Sequence, residues 1–148
     1  MSLLFFDDRT PFAAGRAEFV DLPASQQGGT AKIYVRIEPE SFGSPIDAEL
    51  DTGATWSVLN AEVAEALDLL GGSGEPLKIS TRLGEYPGRL ERIRVDILAD
   101  EGASLTVDAT VWVSQDWPGG TFVGYRGLLE RIRFALDPSD NSFYFGGL

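Results

Sequence analysis

Asp51 begins the short run Asp-Thr-Gly-Ala, which is the part of the sequence best suited to chemistry. The alternation of apolar and polar residues before it ends at Leu50, so the carboxylate would stand at the end of a strand. Thr52 offers a hydroxyl that can position it, and Gly53 lets another backbone approach closely. A carboxylate presented in this way can act as a general acid or a general base. The same tripeptide is also a good Asx turn, so a purely structural role competes with the catalytic one.

The composition restricts the chemistry further. The chain has 148 residues and a mass of 16.0 kDa, which fits one domain. It contains no cysteine and no histidine, which excludes Ser-His-Asp and Cys-His catalysis, disulfides, and zinc sites that need imidazole or thiolate. Asp and Glu number 23 against 12 Lys and Arg, for a net charge of −11. An enzyme of this composition would depend on its carboxyl groups.

The acidity also bears on partners. A pI near 4.3 disfavours contact with phosphate backbones and with anionic membranes, so we expect no nucleic-acid and no membrane partner. The apolar run Leu3–Phe6 is far too short to span a bilayer. It also lacks the basic region and the cleavage site of a signal peptide, so the expected location is cytoplasmic.

Most of the chain shows the two-residue period of half-buried strands. Alternating segments predict strands at 31–37, 46–50, 93–97 and 105–113. Near the end of the sequence, a strand–turn–strand hairpin is predicted from 134–136 and 142–145. The expected fold class is therefore all-β.

Two segments break this alternation and predict short helices. The first covers 61–70, with Asn60 as N-cap and Gly71 just past the end. The second covers 127–133, where Leu128, Leu129 and Ile132 share one helical face.

The Asp-Thr-Gly-Ala segment has a companion later in the chain. Phe122-Val123-Gly124 is a pair of apolar residues followed by glycine, and Leu128-Leu129 comes shortly after it. Together the two segments resemble the retropepsins, the retroviral-type aspartic peptidases, and the pattern is closer to the bacterial retropepsin-like proteins. The resemblance covers about residues 30 to 146. It implies a single-domain, all-β, retropepsin-like closed barrel with one or two short helices, functional as a symmetric homodimer.

The resemblance also implies an activity. Retropepsins hydrolyse extended peptides with two aspartates that share a proton and activate a water molecule, and they use no metal and no other cofactor. This chain has one Asp-(Ser/Thr)-Gly, so the second carboxyl group would be Asp51 of another copy. The implied function is that of an aspartic endopeptidase with an Asp51–Asp51 dyad at a homodimer interface. Its partners would be itself and a peptide or protein substrate.

Further residues take roles from the same resemblance. Thr52 would brace the paired loops, while Gly53 and Ala54 would line the cleft. The second landmark comprises Val123, Gly124 and Leu128. A flap that closes over the peptide is expected within 81–92, where Gly84 and Gly88 would permit a mobile tip; its candidate tip residues are Leu83, Gly84, Glu85 and Tyr86. A plain surface hairpin is the alternative for this segment.

The sequence also departs from the family pattern. Retroviral members commonly pair an acid four residues after the catalytic aspartate with an arginine after the second-landmark glycine, and those positions here are Thr55 and Tyr125. One alternative function is therefore a catalytically inactive retropepsin-fold dimerisation or ligand-binding module. Another is an unrelated small acidic barrel in which Asp51 caps a turn.

The remaining expectations concern the ends of the chain and its aromatic residues. We divide the chain into a segment 1–29, a candidate dimer or edge strand, and a retropepsin-like domain 30–148. Phe143 and Phe145 are candidates for a dimer sheet, with an ordinary core edge strand as the alternative. Trp56 and Trp112 could mark an interface or a substrate subsite, although partial core burial is the more common explanation.

Overall fold

The structure, a computed structural model, describes residues 4–22 and 32–148. It is an all-β fold with 53% strand and 7% helix, as the alternation in the sequence predicts. The helix α1 is Ala61–Ala66. The strands of the described residues are β1 Gly15–Glu18, β2 Val20–Leu22, β3 Lys32–Pro39, β4 Ile46–Leu50, β5 Ser57–Val58, β6 Glu75–Thr81, β7 Gly84–Ile97, β8 Glu101–Gly102, β9 Leu105–Val113, β10 Phe122–Val123, β11 Ile132–Asp137 and β12 Ser142–Gly147.

Six of these strands close into a barrel. Their order is β3-β4-β10-β5-β9-β7, and β7 returns to pair with β3. The closing contact is antiparallel and opposes Ile37 to Ile97. β2 and β6 extend the same sheet by pairing with β3 and β7 respectively. The closed barrel confirms that part of the expected architecture.

A second, four-stranded sheet packs beside the barrel in the order β11-β12-β1-β8. β12 lies inside this sheet, because β11 pairs with one of its edges and β1 with the other. Phe143 and Phe145 are fully buried in the main core. Neither edge of β12 is therefore left to pair directly with a strand of another chain. The alternative to a dimer sheet was an ordinary core edge strand. The burial of its side chains is confirmed, but its position is wrong because β12 is an inner strand.

The segment before residue 30 contributes to both sheets. Gly15–Glu18 is an inner strand of the four-stranded sheet, and Val20–Leu22 is an edge strand beside β3. Ala17 and Phe19 are buried in the main core. Residues 1–3 and 23–29 of the proposed N-terminal segment lie outside the described residues.

The two predicted helices are shorter in the structure than in the sequence analysis. Asn60 caps α1 as predicted, because its side-chain oxygen accepts the backbone N–H of Val63 at 2.8 Å. The helix stops at Ala66 rather than at residue 70, and Asp68 takes the left-handed conformation with φ of 57°. The second predicted helix, 127–133, is only a 3-10 turn at Leu129–Arg131.

Candidate active site

The Asp51 loop joins β4 to β5, and the second landmark lies directly between these two strands. Phe122–Val123, which is β10, pairs in parallel with β4 and antiparallel with β5. The backbone N–H of Asp51 donates to the carbonyl oxygen of Val123 at 3.0 Å. Two segments that are distant in sequence are thus joined at the carboxylate.

Two further backbone hydrogen bonds hold the loop after Asp51. Tyr125 donates to the carbonyl oxygen of Ala54 at 2.9 Å, and Arg126 donates to that of Thr55 at 2.7 Å. Because these bonds involve only main-chain atoms, they do not depend on the side chains at Thr55 and Tyr125. The loop is therefore fixed without the acid–arginine pair that the sequence lacks.

Gly124 allows this close approach. Its N–H donates to the buried hydroxyl of Ser57 at 2.9 Å. A Cβ atom at this position would lie 2.4 Å from the carbonyl oxygen of Trp56, which is main chain and cannot move aside easily. Glycine is required here by packing against the loop, and not by its φ angle.

The carboxylate of Asp51 is half-buried, and within the described residues only one of its two oxygens accepts hydrogen bonds. Its Oδ1 accepts the backbone N–H groups of Gly53 at 2.9 Å and of Ala54 at 3.2 Å. Oδ2 has no hydrogen-bond partner among residues 4–22 and 32–148. The Asx-type turn considered in the sequence analysis does exist, and it leaves one carboxylate oxygen available.

An open cleft of about 870 Å³ lies over this carboxylate. Asp51, Gly53 and Ala54 line one wall, as expected from the sequence, whereas Thr52 is exposed beside the cleft. The opposite wall is the hairpin of β6 and β7, which contributes Leu77, Lys78, Ile79, Ser80, Thr81, Arg82 and Leu83. The candidate flap and the candidate catalytic loop therefore face the same space.

The hairpin turns at Arg82 and Leu83. Leu83 is exposed and lines the cleft, while Gly84, with φ of 129°, begins β7 together with Glu85. The Tyr86 hydroxyl donates to the carbonyl oxygen of Leu83 at 2.9 Å. Tyr86 lies below the tip, where its ring packs edge-on against Trp117 at 5.5 Å.

The predicted role of Gly88 at a mobile tip is wrong. Gly88 lies within β7 opposite Leu77, several residues from the turn. A Cβ atom here would lie 2.4 Å from the indole of Trp112, so this glycine makes room for a buried ring. Trp112 is fully buried and its indole N–H donates to the carbonyl oxygen of Leu77 at 2.8 Å, so it is a core residue.

Aromatic side chains form the apolar floor of the cleft. Trp117 contacts Trp112 and Phe122 in edge-to-face geometry at 6.0 and 5.9 Å. Trp117, Phe122 and the half-buried Trp56 all line the cleft. The sequence analysis considered Trp56 and missed Trp117, whose Pro-Gly-Gly surroundings gave no periodic signal.

Glu49 is a second cleft residue that the sequence analysis missed. It precedes Asp51 by two residues, so the strand places both side chains on the same face of β4. Burial raises the pKa of Glu49 above its ordinary value; Lys32 opposes this shift and the charge of Asp51 adds to it. The two-residue spacing between Glu49 and Asp51 was the signal that could have identified it. However, a polar residue in an alternating strand ordinarily indicates a solvent-facing position.

The other predicted residues lie either in the main core or at the exposed rim of the Asp51 loop. Val123 and Leu128 of the second landmark are buried in the main core. Thr52, Thr55, Tyr125 and Arg126 are exposed around the Asp51 loop. Among the described residues there is no group of three acidic side chains placed to hold a metal ion. No helix of this part of the chain is long and apolar enough to cross a membrane.

The sequence matches no protein-family model, and a search of curated proteins gives no significant match.

Proposed function

We propose that the protein is an aspartic endopeptidase of the retropepsin type, in which Asp51 of two identical chains hydrolyses an extended peptide. The observation that carries this proposal is the position of Asp51 at the wall of an open cleft. Its loop is fixed to β10 by main-chain hydrogen bonds, while Oδ2 has no partner among the described residues. A rigidly held carboxylate with one available oxygen is suited to proton transfer.

The proposed reaction needs two carboxyl groups side by side. Two such groups share one proton because both cannot ionise easily at close range. The ionised group takes a proton from a water molecule, whose oxygen attacks the scissile carbonyl carbon. The protonated group donates a hydrogen bond to the carbonyl oxygen. The carboxyl group that took the proton from water then donates it to the leaving amine as the C–N bond breaks, which returns the pair to its single shared proton.

The second carboxyl group would come from another copy of the chain. The exposed residues Thr52, Thr55 and Tyr125 surround Asp51 and offer a surface on which a two-fold partner could pack. This assignment places the homodimer contact at the loop rim. It does not use the terminal strand, whose edges are already paired.

The hairpin supports an extended substrate. β6 pairs with β7 on one edge, and its other edge has no strand partner in the described part of the chain. Residues 77–81 of β6 line the cleft. A peptide in the extended conformation could add to this edge through main-chain hydrogen bonds.

The proposal is tested by incubating the protein with a proteome-derived peptide mixture from about pH 4 to about pH 7, the range expected of a carboxyl dyad. We expect new peptide termini by mass spectrometry with the wild type, none with Asp51→Asn, and normal cleavage with Asp47→Asn. Asp47 is the matched control because it is exposed on the same strand and lies outside the cleft. Cleavage that persists in Asp51→Asn would overturn the proposal.

A second candidate is a dimerisation or ligand-binding module with this fold and no catalysis. The observation in its favour is the pair Thr55 and Tyr125, which replaces the acid and arginine of the retroviral pattern. The module predicts a dimer in sedimentation velocity together with no cleavage by the wild type. The peptidase predicts both a dimer and cleavage.

A further inference from the structure

The cleft contains a carboxylate for which the proposed reaction has no use. We infer that Glu49 forms a subsite for a cationic side chain, Lys or Arg, on a substrate residue next to the scissile bond. This inference rests on the proposed function and adds a substrate class to it.

The strand geometry directs Glu49 into the cleft. Glu49 and Asp51 both line it, whereas Ala48 is fully buried and Leu50 packs against the main core on the other face of β4. Two residues of strand span roughly 7 Å. Lys and Arg have long, flexible side chains, so one on a residue flanking a bond held at Asp51 can reach a carboxylate at this distance.

The Glu49 carboxylate is half-buried and has no direct partner among the residues that the structure describes. Within residues 4–22 and 32–148 it accepts no hydrogen bond and has no cationic nitrogen within ion-pair distance. Lys32 acts on it only at longer range, and burial outweighs that effect on its pKa. A partly buried carboxylate without donors is costly, and a donor supplied by the substrate removes that cost.

A cation satisfies this carboxylate better than a neutral donor does. Charge-assisted hydrogen bonds from Lys or Arg are roughly twice as strong as neutral ones. Within the described residues neither cation of the opposite wall pairs with Glu49: Lys78 pairs with Glu85 at 3.3 Å, and Arg82 lies at the hairpin turn. The wall that carries Asp51 is therefore where a substrate cation would bind.

The preference requires Glu49 to be ionised. The groups that face it are Lys32 and Tyr34 of β3, Asp51 of its own chain, and Lys78 and Arg82 across the cleft; Phe122 of β10 adds no charge. The selection for Lys and Arg should consequently be strongest at the upper end of the active pH range. It should fade as the pH falls and Glu49 takes up a proton.

The first test compares cleavage-site profiles on the same peptide mixture. We expect the wild type to favour Lys or Arg beside the cleaved bond over norleucine-sized apolar residues by about tenfold or more, the scale of a hydrogen bond to a charged group. Glu49→Gln should lose this preference, because its cleavage beside Lys or Arg falls to the level seen beside apolar residues. Glu38→Gln, half-buried on β3 outside the cleft, should keep the preference. An unchanged profile in Glu49→Gln would overturn the inference while leaving the peptidase intact.

The second test does not depend on cleavage. Immobilised Asp51→Asn protein is challenged with two degenerate heptapeptide mixtures that carry either Arg or norleucine at the central position. The inference predicts longer retention of the Arg mixture, abolished in the Asp51→Asn/Glu49→Gln double variant. Equal retention of the two mixtures would refute the subsite. Absence of cleavage by the wild type, by contrast, would count against the proposed function.

Discussion

At the scale of single residues, the Asp51 loop was predictable and its neighbour Glu49 was not. The Asp-Thr-Gly-Ala motif combines a carboxylate, a hydroxyl and a glycine in an order that indicates chemistry from the sequence alone. Glu49 lies in an alternating strand where a polar residue ordinarily faces solvent. Only the closure of the barrel and the hairpin opposite turns that face into the wall of a cleft.

The raised pKa of Glu49 predicts a pH-dependent effect on stability. A carboxyl group whose pKa is higher in the folded state destabilises that state as the pH rises above the ordinary value of 4.5. Glu49→Gln removes this penalty. The Tm of the variant minus that of the wild type should therefore be larger near pH 7 than near pH 3, where both chains are neutral at this position.

Differential scanning calorimetry at the two pH values measures this difference. Asp47→Asn, exposed on the same strand, controls for the loss of one negative charge. A Tm difference for Glu49→Gln that shrinks toward neutral pH would contradict the assigned direction.

At the scale of elements, strands were predictable more accurately than helices. The segments 46–50 and 105–113 match β4 and β9 at both ends, because alternation continues wherever one face is buried. Leu67 and Leu70, which continue the helical spacing from Val63, misled the helix prediction. They pack against the core as expected, but they do so from an irregular segment after α1 has ended. The spacing of apolar residues indicates which side chains are buried. An irregular segment can bury them as well as a continued helix can.

Gly124→Ala should destabilise the protein by roughly 1–3 kcal/mol, as overpacking does. The added methyl group would press on the main chain of Trp56, within the connection between Asp51 and β5. Chemical denaturation measures the loss, and the proposed peptidase activity should fall with it because the loop is displaced.

Gly71→Ala is the matched control for this substitution. A Cβ atom there has nothing within 4 Å and the glycine has no positive φ, so its stability should stay close to that of the wild type. If both alanine variants unfolded at the same denaturant concentration as the wild type, the tight contact at Gly124 would be wrong.

At the scale of the whole molecule, the pairings that join distant parts of the chain were not predictable. β3 and β7 close the barrel through Ile37 and Ile97, and β1 meets β12 through Arg16 and Tyr144. A strand pattern states which face is buried and says nothing about which strand will lie alongside. The all-β class could therefore be predicted, but the central place of β12 could not.

Deletion of residues 1–19 should lower the Tm by more than about 10 °C. The deletion removes β1, which covers one edge of β12, together with the buried side chains of Ala17 and Phe19. The loss of a buried Phe alone costs about 3–5 kcal/mol.

Thermal unfolding followed by circular dichroism checks this, with Phe19→Ala measured in parallel. The point variant should lie between the wild type and the truncated chain. A truncated chain as stable as the full one would show that β1 is dispensable.

Both edges of β12 are paired within one chain, so this sheet can form before two chains associate. A protomer that completes its own sheets can reach the native state by a first-order process whose rate does not depend on concentration. Association through the loop rim alone would then be a later, second-order step. If the proposed Asp51–Asp51 dyad forms in this way, dilution should reversibly abolish cleavage while the far-ultraviolet circular dichroism spectrum stays constant, and the concentration of the chain would set the activity.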